Sequence, residues 1–193
     1  MKAPWQITYL FRPYVRSISG TENIPAGRCI IVANHQSSLD TLMLMLAFRR
    51  KITFVADHRL LKTVVRRYVT YTVGEAIPNG LSSTEFARVA LRDGETVCIF
   101  PEGDIHPKYR TEGIRSGAAV LSHGEQIPVV PVRLTGTGRV WPVVGWPLRP
   151  WLVRSVRIAV GKPIDPPPVS EQYHYDDYQK LSRQFMETIE ALG

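Results

Sequence analysis

The chain has 193 residues, 44% hydrophobic and 21% charged, enough to bury one compact core and too short for a second domain to be expected. Its formal net charge of +7, with a sequence pI of about 9.6, favours an anionic partner such as a phosphate ester, nucleic acid or acidic lipid, and does not choose among them. No stretch approaches the roughly 18 to 20 uncharged apolar residues of a spanning helix, and MKAPWQITYLFRPYVR carries Arg12 and Arg16 where a signal peptide would be apolar. The expectation is a chain that neither spans a bilayer nor leaves the cytoplasm. Cys29 and Cys98 lie inside apolar runs, as free core cysteines in a reducing compartment do.

In chain order, CIIVA (29–33) is a short apolar run of the kind that forms a buried parallel strand. Ser37, Ser38 and Asp40 then introduce a helix over 41–48. ITFVA reads as a strand, 58–70 as a basic helix, 73–77 as a short strand, and 82–92 as a helix ended by Asp93-Gly94. TVCIF is a strand, 114–123 a helix and IPVVPVRL another strand, followed by the cluster Pro166, Pro167, Pro168 and a C-terminal helical tail over 166–193. No internal repeat or low-complexity block interrupts the order. Apolar strands alternating with helices predict one α/β domain over 1–193, a mostly parallel sheet flanked by helices, with ligands beyond the carboxyl ends of the strands.

Two loops at those ends hold polar residues suited to chemistry. In VANHQSSLD, His35 and Asp40 stand about one helical turn apart, so the carboxylate can fix the imidazole tautomer and the imidazole can act as a general base. The plainer reading is a first-turn aspartate favoured by the helix dipole beside an ordinary loop histidine. In FPEGDIHP, Glu102 can orient a substrate hydroxyl and Gly103 permits close approach, or the segment is simply a proline-glycine turn.

Taken together, Asn34, His35 and Asp40 (NH-x4-D), Phe100 to Gly103 (FPEG), Arg115-Ser116-Gly117 and Ile127 to Val132 resemble the 1-acylglycerol-3-phosphate acyltransferase family of glycerolipid acyltransferases. The resemblance covers roughly residues 28–165. It implies that His35, oriented by Asp40, deprotonates an acceptor hydroxyl that attacks the thioester of acyl-CoA or acyl carrier protein directly. No metal, cofactor or covalent acyl-enzyme is implied. Asn34, Glu102, Gly103 and Arg115 are the implied acceptor contacts. Ser37 and Ser38 read as loop and capping groups, and the oxyanion donors are expected among backbone N–H groups near the start of the helix after Asp40. Two departures bear on the acceptor and leave open a lysolipid without a phosphate monoester, or a phosphate held by Lys108, Arg110 or Arg115. The stretch Gly74 to Gly80 lacks the family's phosphate-holding arginine, and Asp104-Ile105 stands where threonine and arginine are usual.

Arg59, Lys62, Arg66 and Arg67 recur with His58 at helical spacing, a stripe for lipid or CoA phosphates or else a solvated face. Lys108 and Arg110 are further candidate phosphate contacts. Trp141, Trp146 and Trp151, with flanking arginines, have the composition of an interfacial anchor, or pack beneath a loop. Within residues 1–20, Trp5, Ile7, Tyr9, Leu10, Phe11 and Tyr14 could likewise lie in the interface plane. The expectation is a peripheral protein at the cytoplasmic face of the cell membrane, meeting an acyl donor and a lysolipid acceptor. Three rivals remain: a nucleic-acid module, which lacks a recognised motif; a metal-dependent hydrolase built on Asp104, His106, His35 and Asp40; and a non-catalytic lipid-binding scaffold.

Overall fold

A computed structural model of the chain describes residues 5–55, 82–105, 113–141, 149, 151–169 and 173–193. Its six strands are β1 (Val15–Ser19), β2 (Ile30–Ala33), β3 (Ile52–Phe54), β4 (Thr96–Ile99), β5 (Val129–Thr135) and β6 (Val156–Val160). They form one sheet in the order β1-β6-β5-β2-β4-β3. Four of its five pairings are parallel, and β5 with β6 is antiparallel. The helices are α1 (Leu39–Phe48), α2 (Ser83–Arg92), α3 (Gly117–Glu125), the single turn α4 (Thr137–Val140) and α5 (Tyr175–Ala191). The predicted basic helix at 58–70 and strand at 73–77 lie outside the described residues.

The central strands are apolar throughout because both faces are covered. Ile31 and Ala33 of β2 point into one core with Leu39, Leu42, Met43 and Leu46 of α1. Ile30 and Val32 point into the other with Ala87 and Leu91 of α2, Leu121 of α3 and Phe185, Met186 and Ile189 of α5. The C-terminal helix is therefore a wall of the second core. The outer strand β6 alternates instead, with Val156, Ile158 and Val160 buried and Arg157 exposed, because only one of its faces is covered.

Helix boundaries follow their local hydrogen bonds. The first helix begins two residues before the predicted 41, since the Asp40 N–H already reaches Ser37 O at 3.0 Å. Ser82 caps α2, its Oγ accepting the Glu85 N–H at 3.1 Å. The third helix starts at Gly117, not 114, because the Arg115 N–H donates to Pro101 O at 2.9 Å and holds residues 114–116 against the exit of β4.

The two cysteines are free and buried, as their apolar surroundings implied. Burial pushes both thiols up, Cys98 well above its ordinary value, with the Asp40 carboxylate adding to the effect. A thiol ionises near 8.5 once unfolded. The stability of the neutral buried pair is therefore intact below about that pH and declines above it, as the unfolded chain ionises and the folded chain does not. Thiol reagents are expected to label the native protein only as fast as it unfolds, and replacing Cys98 with alanine should flatten the alkaline fall in the urea midpoint. Phe185 is 1% exposed in the core under α5, and Phe185→Ala should cost about 3 to 5 kcal/mol by urea denaturation.

Candidate active site

The loop leaving β2 is held open by Asn34. Its backbone pairing ends at Ala33 with Val132, and the fully buried Asn34 side chain continues the ladder in its place. Asn34 Nδ2 donates to Leu134 O at 2.9 Å, and the Leu134 N–H donates to Asn34 Oδ1 at 2.8 Å. The backbone of His35 is thereby released from the sheet and turns toward β4, where its N–H donates to Glu102 Oε1 at 3.0 Å. Asn34, expected as an acceptor contact, has its amide engaged with β5.

Asp40 is fully buried in the first turn of α1. Its Oδ2 accepts from Gln36 N at 2.6 Å and Ser37 N at 2.8 Å, and lies 2.9 Å from His35 Nδ1. Since an ionised carboxylate only accepts, Nδ1 carries the proton and Nε2 of the neutral ring keeps its lone pair. The ring stacks on Phe100 at 3.9 Å and 11°, and Phe100 lies near-parallel to Phe54 at 6.3 Å. The imidazole is thus fixed in its plane by a carboxylate and across it by an aromatic face, with its side chain 13% exposed.

Ser37 is also buried. Its Oγ accepts the Leu39 N–H and donates to Trp141 O, so it is the loop group the sequence suggested. The N–H groups of residues 36, 37, 39 and 40 are engaged by Asp40, by Ser37 Oγ and by Ser37 O.

Opposite this loop, Phe100 O accepts the Gly103 N–H at 3.0 Å in a tight turn. Gly103 has φ +72°, and a Cβ there would lie 2.4 Å from Arg115 Nε and 2.7 Å from its guanidinium carbon. The close approach that Gly103 permits is therefore that of Arg115, whose exposed side chain lies across the turn beside Glu102. Asp104 is exposed, with Oδ1 accepting the Ile105 N–H at 2.7 Å.

His35, Asp40, Asn34, Glu102, Gly103 and Arg115 thus converge at the carboxyl edge of β2 and β4. Arg59, Lys62, Arg66, Arg67, Lys108, Arg110, His106 and the stretch Gly74 to Gly80 lie outside the described residues. Among the described residues, no group of three or more His, Cys, Asp or Glu side chains is positioned to hold a metal. The stacking of Phe100 on His35 was not anticipated, although Phe100 stands in the FPEG block. The pairing of Asn34 with Leu134 spans 100 residues and has no local signature.

A histidine oriented by a buried carboxylate, at the edge of a mostly parallel sheet, has the geometry needed to accept a proton at its second ring nitrogen. The chain belongs to the Acyltransferase family, whose pattern it matches over residues 15–135. It is 28% identical over 130 residues to the probable 1-acyl-sn-glycerol-3-phosphate acyltransferase of Mycoplasma pneumoniae, covering 62% of this chain and 49% of that protein. It is 27% identical over 147 residues to the 1-acyl-sn-glycerol-3-phosphate acyltransferase of Pseudomonas aeruginosa, covering 72% and 56%. The chain spans about half the length of the curated relatives it matches. The crystal structure of the 1-acyl-sn-glycerophosphate (LPA) acyltransferase PlsC from Thermotoga maritima aligns with a TM-score of 0.70 and 25% identity, over 97% of this chain and 77% of that one.

Because both ends of its amide join the β2 loop to β5, replacing Asn34 with alanine leaves buried backbone groups of Leu134 unpaired. A stability loss of about 1 to 3 kcal/mol is expected, read as a shift in urea midpoint.

Proposed function

We propose that this protein transfers a fatty acyl group from a thioester, acyl-CoA or acyl carrier protein, to the hydroxyl of a lysophospholipid-like acceptor. The observation that carries the reading is the 2.9 Å contact between His35 Nδ1 and buried Asp40 Oδ2 in a chain of the Acyltransferase family. His35 Nε2 takes the proton of the acceptor hydroxyl as its oxygen attacks the thioester carbonyl. The tetrahedral adduct collapses, the C–S bond breaks, and the leaving thiolate recovers the proton from the imidazolium. Asp40 stays ionised throughout and stabilises that imidazolium. The donor is consumed as a substrate, and the reaction so written uses no cofactor.

The acceptor's phosphate is held by Arg115, with Lys108 and Arg110 as further candidates. In support, the Arg115 guanidinium lies against Gly103 on the turn whose Glu102 touches the His35 backbone. A guanidinium matches a phosphate with two parallel hydrogen bonds, and this one offsets the exposed Asp104 nearby. The relatives named for 1-acyl-sn-glycerol-3-phosphate agree with a phosphomonoester acceptor. The protein acts as a peripheral protein at the cytoplasmic face of the cell membrane. No helix among the described residues is long and apolar enough to cross a bilayer.

Purified protein with a radiolabelled acyl donor and lysophosphatidic acid should form the diacyl product. His35→Ala should abolish it, and Asp40→Asn should reduce kcat by about 10² to 10⁴ without unfolding the chain. Full activity in His35→Ala would refute the mechanism. Arg115→Ala should raise KM for lysophosphatidic acid and leave that of a lysolipid lacking the phosphomonoester unchanged. An equal effect on both would remove Arg115 from the acceptor site.

A further inference from the structure

The first two segments of the catalytic edge that carry no catalytic residue share an unusual surface. Because β1 and β6 run opposite to β5, their beginnings lie at the edge where β2, β4 and β5 end. The 3-10 helix Trp5–Tyr14 leads into β1, and residues 151–155 lead into β6. The Arg154 N–H donates to Pro13 O at 2.9 Å, joining the two segments. They are joined to the site as well. Ser37 of the catalytic loop donates to Trp141 O, the Arg149 N–H donates to Val140 O at 2.9 Å, and Gly136 at the end of β5 lies close against Ser155 O.

Seven large hydrophobic side chains are exposed among the described residues, and four of them are here: Tyr9 at 44%, Leu10 at 73%, Trp151 at 71% and Val153 at 52%. The same stretches, 5–19 and 149–160, contain Arg12, Arg16, Arg149, Arg154 and Arg157 and no aspartate or glutamate. Other aromatics of the region are anchored inward. Tyr14 is buried, and Phe11, Trp141 and Leu152 pack against the first core. Trp141, expected from sequence as an interfacial anchor, is thereby corrected to a core-packed residue, and Trp146 lies outside the described residues.

We infer that this rim, with Leu10 and Trp151 at its tips and arginines around them, is the face that docks on an anionic lipid bilayer and sets the His35 site against it. Exposed leucine and tryptophan beside arginine suit the headgroup boundary, where the apolar part is shielded from water and each cation near the surface is attracted by acidic phosphates. A protein partner would be met by the same apolar groups. The absence of any carboxylate among five arginines favours a uniformly anionic surface. The inference deepens the proposed function by naming how the site meets a bilayer-resident acceptor, and its docking step is measured apart from catalysis.

The test is sedimentation with vesicles of phosphatidylglycerol and phosphatidylcholine, against phosphatidylcholine alone, at low salt and without acyl donor. The wild-type chain should bind the anionic vesicles preferentially. Leu10→Glu with Trp151→Glu should weaken that binding by about tenfold or more. Val169, 75% exposed, follows Ile164, which pairs with Val129 at the opposite edge of β5, so Val169→Glu should bind as wild type. Turnover of short-chain donor and acceptor, both dissolved as monomers, should be equal in all three proteins. Wild-type vesicle binding by the double variant, or equal loss in Val169→Glu, would overturn the docking face. Loss of monomeric turnover in the double variant would overturn its separation from catalysis. Absence of turnover in the wild type with intact vesicle binding would defeat the enzyme reading and leave the docking face standing.

Discussion

Asp40 Oδ2 is one oxygen atom serving three groups, and the geometry of the site depends on it. Accepting from Gln36 N and Ser37 N, it closes the loop before α1; lying against His35 Nδ1, it orients the imidazole. Either function alone would be ordinary for an acid in the first turn of a helix. Their combination means that the loop cannot reach its conformation without orienting the histidine. Burial makes the arrangement stiff, because a carboxylate with no exposed surface exchanges none of these partners for water.

The other supports fix what Asp40 leaves free. Phe100, on the exit of β4, sets the imidazole's lateral position, and Glu102 of the same turn binds the His35 backbone. The β2 and β4 loops are therefore coupled through the histidine itself, which explains why two short blocks separated by about 60 residues act as one site. Arg115 completes the same coupling from the start of α3, held by its N–H to Pro101 and lying over the glycine at φ +72°. A guanidinium is thus brought to the turn whose Glu102 binds the His35 backbone, without any strand of its own.

Much of this was legible in the residues. Buried parallel strands announce themselves as unbroken apolar runs, and CIIVA, ITFVA, TVCIF and IPVVPVRL all became strands for that reason. His35 and Asp40 were recognisable because their partnership is local, five residues apart. The strands β1 and β6 were not. VRSIS and VRIAV are short, interrupted by arginine, and gain their strand character only from pairing with each other and with β5. The structural part played by Asn34 was hidden for a related reason. Its partner Leu134 stands 100 residues away, so sequence could mark the residue as special without showing that it completes a ladder. The start of α3 was displaced because a tertiary hydrogen bond to Pro101 overrode a helical pattern.

The pair β1 and β6, parallel to each other and antiparallel to β5, also changes the meaning of the edge it joins. It brings the approach segments of both strands to the side of the sheet where the loop of His35 and Asp40 lies. The central claim, that Asp40 holds His35 with its proton on Nδ1 and a free lone pair on Nε2, is tested most directly by ¹⁵N NMR of the imidazole in the resting protein at mildly alkaline pH. The account predicts a protonated Nδ1 and an unprotonated Nε2 for His35, with that tautomer losing its dominance in Asp40→Asn. A His35 ring protonated at Nε2, or a tautomer indifferent to Asp40, would contradict it.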